Sequence, residues 1–118
     1  MRGLKPTFAL LALSMAAVPL VSQETVLRIT QAEALKAAVA KPQPDYPPMA
    51  RQLKLQGRVE VEVSISPAGK VDEAKILTGN PALTGAASSA VKRWKFEPFT
   101  SDGKAVRAIT VIAFNFKL

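Results

Sequence analysis

From Arg58 to Ser66 the chain alternates strictly: Val59, Val61, Val63 and Ile65 interleave with Arg58, Glu60, Glu62 and Ser64. A period of two with one charged face predicts a half-buried antiparallel strand. Pro67-Ala68-Gly69-Lys70 then reads as a turn, because proline presets φ and glycine accepts positive φ. Val71–Thr78 returns as a second strand with Ala74, Ile76 and Thr78 on one face. Its phase slips near Asp72–Glu73, as at a β-bulge. After Gly79-Asn80-Pro81 the period changes. Leu83, Ala86, Ala87, Ala90, Val91 and Trp94 recur at steps of three and four, which predicts one helical stripe. Lys92-Arg93-Lys95 closes it, and cations suit the negative end of a helix. Phe96-Glu97-Pro98-Phe99 is an extended link and Ser101-Asp102-Gly103-Lys104 a tight turn. Ala105–Leu118 is a long last strand with Ile112, Phe114, Phe116 and Leu118 on one face and Arg107, Asn115 and Lys117 on the other.

Upstream the pattern is weaker. Glu24–Ile29 is β-inclined. Thr30 with Glu33 fits a reciprocal capping box, so a helix starts there, with Leu35 and Val39 at helical spacing. Prolines 42, 44, 47 and 48 stop it and favour an extended strap. A short helix follows over Pro48–Lys54, with Met49, Leu53 and Leu55 as its expected buried side and Gly57 as its end. The order helix, strand, strand, helix, strand predicts an α+β fold: a small antiparallel sheet of about three strands with two helices packed on one face.

The amino terminus differs in kind. Arg2 and Lys5 precede an apolar run, Phe8–Val21, that is shorter than the about 20 residues of a full membrane span. A charged start and a short apolar run resemble an export signal. Cutting after Ser22 puts Leu20 where a small residue is preferred, so the segment is either cleaved inefficiently or kept as a short anchor. The expected organisation is residues 1–22 as signal or anchor, 23–41 as an amino-terminal segment with a short helix, and 42–118 as one domain. The expected location is the periplasm, free or tethered to the inner membrane.

Composition narrows the chemistry. The chain of 118 residues has no cysteine and no histidine. Disulfides and thiolate sites are excluded, and the commonest general base and metal ligand are missing. The expectation is no catalytic residue, no metal, no cofactor and no enzyme. Glu60 and Glu62 share a strand face beside Arg58 and read as solvated surface pairs. Formal charge is +7, or about +5 without Arg2 and Lys5. That balance gives solubility and a weak attraction to anionic surfaces. Trp94 lies on the apolar stripe, so Lys92, Arg93 and Lys95 read as a helix end and not as a nucleic-acid site.

These residues resemble a known family. Gln43-Pro44-Asp45-Tyr46-Pro47-Pro48, Ala50-Arg51 and Gln56-Gly57 look like the opening of the TonB carboxy-terminal domain. Pro67-Ala68-Gly69-Lys70-Val71 is similar to its strand–turn–strand, and Gly79-Asn80-Pro81-Ala82-Leu83 to the start of its helix. Arg93-Trp94-Lys95-Phe96-Glu97-Pro98 resembles its most recognisable block, and Asp102–Val106 and Phe116-Lys117-Leu118 complete it. The resemblance covers about Pro42–Leu118 and implies a TonB/TolA carboxy-terminal-domain-like fold. It also implies a periplasmic interaction module that takes an extended peptide of an outer-membrane transporter or other envelope protein as a strand beside its last strand. The partner-binding residues expected on that basis are Gln43, Pro44, Asp45, Tyr46 and Pro47 in the strap and Ile109, Val111, Ala113 and Asn115 along the last strand.

The residues support this mode independently. A short sheet must have edges, and an edge offers unpaired N–H and C=O groups to a foreign backbone. Two features depart from full-length transducers of the family: no histidine is present for a membrane motor, and no long proline-rich spacer. Fully stretched, Glu24–Lys41 reaches only about 60–65 Å at ~3.3–3.6 Å per residue. A link to inner-membrane motor proteins would therefore run through another subunit. The last strand can also pair with itself in a homodimer or be capped by the amino-terminal segment. The competing reading is a self-associating or wall-associated structural envelope protein.

Overall fold

The computed structural model describes residues 24–118, so the signal or anchor expected over residues 1–22 lies outside it. The elements run β1 (Val26–Arg28), α1 (Gln31–Ala37), β2 (Ala38–Ala40), α2 (Pro48–Gln52), β3 (Gly57–Ile65), β4 (Val71–Thr78), α3 (Pro81–Lys92), β5 (Lys95–Phe96), β6 (Phe99–Ser101) and β7 (Lys104–Phe116).

The alternating segment forms β3, which pairs antiparallel with β4 on one side and β7 on the other. Ser66 Oγ accepts from the amides of Ala68 and Lys70, both at 3.2 Å, and shapes the turn into β4. Gly69 in that turn has φ 89°, and a Cβ there would collide with the Phe96 carbonyl, so only glycine fits. The phase slip is real: Ser64 faces Glu73 and Ile65 faces Val71, which leaves Asp72 bulged out. A second shift leaves Leu77 over, between Val61–Ile76 and Glu60–Thr78. Asp102 and Gly103 take φ 52° and 78°, and positive φ at both central residues makes the hairpin that joins β6 to β7.

The sheet is larger and less uniform than the expected three antiparallel strands. Its order is β1-β7-β3-β4 with β6 also on β7, and β2 and β5 form a separate pair. β1 pairs with β7 in parallel, so the sheet is mixed. Such short strands give too few alternations to show a period. Helices number three among the described residues. Thr30 and Glu33 do form the capping box, but α1 ends at Ala37 and residues 38–40 are extended. Val39, expected on the helix, is an exposed strand residue. Of the expected buried side of α2, only Leu55 packs on the core; Met49 and Leu53 are 67% and 62% exposed, and Ala50 is buried instead. The helix stops at Gln52, and Lys54 at φ 56° turns the chain before Gly57.

One face of the sheet carries that core. Val59, Val61, Val63 and Ile65 of β3 and Ala108, Ile112, Phe114 and Phe116 of β7 meet Ala34 of α1, Ala50 of α2 and Leu83, Ala87 and Val91 of α3. Each large apolar side chain contributes about 1.5–3 kcal/mol on burial, and the alanines let the helices approach closely. Trp94, 3% exposed, stands edge-on to Phe114 with ring centroids 5.7 Å apart, which adds about 0.5–1.5 kcal/mol.

Candidate functional site

A strand edge is the feature most able to act on another molecule, and β4 and β7 differ sharply in this respect. β4 borders the sheet, but bulges flank it at Asp72 and Leu77 and its middle carries Glu73 and Lys75. Bulges and charges guard an edge against foreign strands. The outer side of β7 has no proline and no register shift against β3.

That side is not wholly free. Phe99–Ser101 covers Lys104–Val106, and Val26–Arg28 covers Arg107–Ile109. Past Ile109 no strand of the described residues pairs there. The Ile29 amide donates to the Ile109 carbonyl at 3.0 Å. The Ala113 amide donates to Gln31 Oε1 at 3.3 Å. Both groups point away from β3, so by the period of two Val111 and Asn115 turn their backbone outward as well. Of the four expected edge residues, Ile109 is therefore occupied, Ala113 is held by a side chain, and Val111 (38% exposed) and Asn115 face out with no strand beside them.

The strap is built against this edge. Trp94 Nε1 donates to the Pro42 carbonyl at 2.9 Å. The Tyr46 hydroxyl donates to the Leu55 carbonyl, and its ring stands edge-on to Phe116 at 5.5 Å. The Arg51 guanidinium lies 5.2 Å over the same ring. Tyr46 thus pins the strap to the domain. These ties bring Gln43 beside Ala113. With Gln31, Leu35, Lys41, Trp94, Ile112 and Phe114 they line a groove of about 250 Å³. Asn115 lines a second hollow, of about 470 Å³, with Gln56, Gly57, Arg58, Phe116 and Lys117 at the open end of the sheet. Pro44, Asp45 and Pro47 line neither; Pro47 precedes α2. The sequence alone did not point to Gln31, Leu35 or Lys41. Gln31 and Leu35 come to the groove on α1, which follows β1 on β7, and Lys41 comes with the start of the strap; no local pattern signals either docking.

Charges around the site are sparse and solvated. Arg107 bonds Asp72, and Glu24 at 3.2 Å, and these two carboxylates raise its pKa above the usual guanidinium value. Arg58 pairs with Glu60 at 3.1 Å on the open face, a surface contact worth about 0–1 kcal/mol. Among the described residues no three acidic side chains converge as a cation site.

The fold has counterparts. The family described as Gram-negative bacterial TonB protein C-terminal matches residues 42–118. Protein TonB of Escherichia coli K12 is 36% identical over 63 residues, 52% of this chain and 26% of that protein. Protein TonB of Vibrio cholerae serotype O1 is 36% identical over 81 residues, 67% of this chain and 33% of that protein. The solution structure of the Pseudomonas aeruginosa TonB carboxy-terminal domain superposes with a TM-score of 0.59 at 31% identity, covering 69% of this chain and 84% of that one. The match thus spans about a quarter to a third of these curated relatives. With the strap, the hairpin, the Trp94 helix and the last strand all inside the matched region, the chain belongs to the family of TonB carboxy-terminal domains.

Proposed function

We propose that this chain is a non-enzymatic periplasmic interaction module that takes up an extended peptide of an outer-membrane transporter, or of another envelope protein, as an added strand on β7. One observation carries the reading: among the described residues, beyond Ile109 the outer side of β7 has no strand partner and none of the guards that protect β4. An added strand there gains main-chain hydrogen bonds, and the groove by Gln43 and Ala113 takes a side chain from it.

Val111→Pro tests this. Its N–H points away from β3, so proline there spares the β3 ladder. Binding of a synthetic transporter-end peptide, read by fluorescence anisotropy, falls about tenfold, the scale of one strong hydrogen bond plus a steric block. Circular dichroism and the unfolding midpoint stay near those of the parent. Equal binding by parent and variant would reject addition at this edge.

The module is accessory to transport in this reading. Among the described residues, 26–40 are folded onto the domain as β1, α1 and β2, which shortens their reach. Among the described residues no helix is long and apolar enough to cross a membrane. A motor would act through another subunit.

A second reading, attachment to acidic wall polymer, is favoured by a different observation. Lys70 and Lys95 are cross-strand neighbours, and Lys92 and Arg93 lie just before Lys95. None of the four has an acidic partner within 4.0 Å among the described residues. Directly opposed like charges are unfavourable, and an anion between them relieves the repulsion.

A further inference from the structure

The segment just ahead of the strap imitates the ligand. Three ties step along alternate positions of β7: Glu24 to Arg107 at 3.2 Å, the Ile29 amide to the Ile109 carbonyl at 3.0 Å, and Gln31 Oε1 to the Ala113 amide at 3.3 Å. The first is a side-chain pair, and the other two use the backbone groups that a foreign strand would need. Val111, between them, is skipped, because Thr30 ends the extended run and starts α1. Gln31, the first residue of that helix, replaces a missing strand with one amide oxygen.

The segment is lightly held. β1 has three residues, pairs in parallel, and buries only part of Leu27 while Val26 is 39% exposed. Parallel pairing is slightly the weaker kind per residue. Such a piece exchanges for a longer strand without unfolding the core, whose β3–β7 ladder is independent of it.

We infer that β1 and Gln31 are an internal occupant of the β7 edge, which an incoming strand displaces, so that the chain regulates its own binding site. The inference rests on the strand-addition reading above. A site that is open only part of the time has its apparent affinity reduced by that fraction.

The test compares the parent protein with Gln31→Ala and Ile29→Pro, using the same transporter-end peptide. Alanine frees the Ala113 amide, and proline removes the donor to Ile109. Each variant binds about two- to tenfold tighter than the parent, the scale of one hydrogen bond. Gln31→Glu keeps an acceptor oxygen on the Ala113 amide and shows no such gain. In the parent, hydrogen exchange speeds up at Ile29 as peptide is added and slows at Val111 and Ala113. A gain in Gln31→Ala alone overturns the part assigned to β1 and leaves the Gln31 amide oxygen as the occupant. Equal or weaker binding in both variants, with Ile29 protected throughout, overturns self-occupancy and leaves strand addition standing. A gain in Gln31→Glu equal to that of Gln31→Ala overturns the role of the amide oxygen. No binding by any variant overturns strand addition and self-occupancy together.

Discussion

Thr110 is the one buried polar side chain of the core face whose hydroxyl has no hydrogen-bond partner among the described residues. Its neighbours on that face of β7, Ala108 and Ile112, are apolar, so the hydroxyl carries a desolvation cost of about 1–3 kcal/mol. Thr110→Val keeps the shape and the β-branch. It is expected to raise the unfolding free energy by about 1 kcal/mol in urea titration, and a loss of stability there would mean the hydroxyl has a partner. Trp94 shows the opposite arrangement. Its ring is core, as its place on the helical stripe predicts, and its N–H is satisfied by Pro42 across 52 positions of chain. The stripe made the burial legible. The bond was not, because a polar tip finds its partner only once the strap has been laid down.

At the scale of elements, α1 is set by its first turn. The Glu33 amide donates to Thr30 Oγ1 at 3.1 Å, and the Thr30 amide to Glu33 Oε1 at 2.9 Å. Bonds from the Thr30 amide first and its hydroxyl next, with Lys36 nearby, hold the Glu33 carboxyl below the usual carboxylate range. A lowered folded value means the cap supports α1 above the ordinary carboxylate pKa and is lost as pH falls through the lowered one. An NMR titration is expected to give Glu33 a depressed midpoint, with faster exchange at the Ala34 amide below it. Thr30→Ala removes the hydroxyl and keeps the amide, so the Glu33 midpoint moves only part of the way back towards the ordinary range; an unchanged midpoint in that variant would remove the hydroxyl as a cause. The capping box could be read from two residues at a fixed spacing. The end of α1 could not, since Ala38 and Val39 are as acceptable to a helix as to a strand. Pairing of Ala38 and Ala40 with β5 decides for the strand.

At the scale of the whole molecule, strand addition and polymer attachment separate by their response to salt. Main-chain bonds on β7 are dipolar and short-ranged. The cluster of Lys70, Lys92, Arg93 and Lys95 would act over a screening length that shrinks to about 8 Å at 0.15 M. Peptide affinity is expected to change little across a salt titration, whereas retention on an acidic polymer falls steeply; a peptide affinity that collapses with salt would favour the second reading. The two guarded ends of β4 and the unguarded lower half of β7 are likewise properties of the assembled sheet. Of the expected site, Gln43 and Ala113 come together in one groove, while Ile109 is already taken.

The alternating run of β3, the hairpin turn with its bulge, the helical stripe ending at Trp94 and the long last strand were all set by residues within a few positions of one another. Periodicity is local, and a period of two or of 3.6 needs only enough repeats to show itself. What covers the edge of β7 was decided by the tertiary structure. Val26–Arg28 has too few residues to carry a period, and it reaches Arg107–Ile109 across most of the chain. Its place depends on surface left over once the other strands have packed, and no short stretch of sequence encodes that remainder.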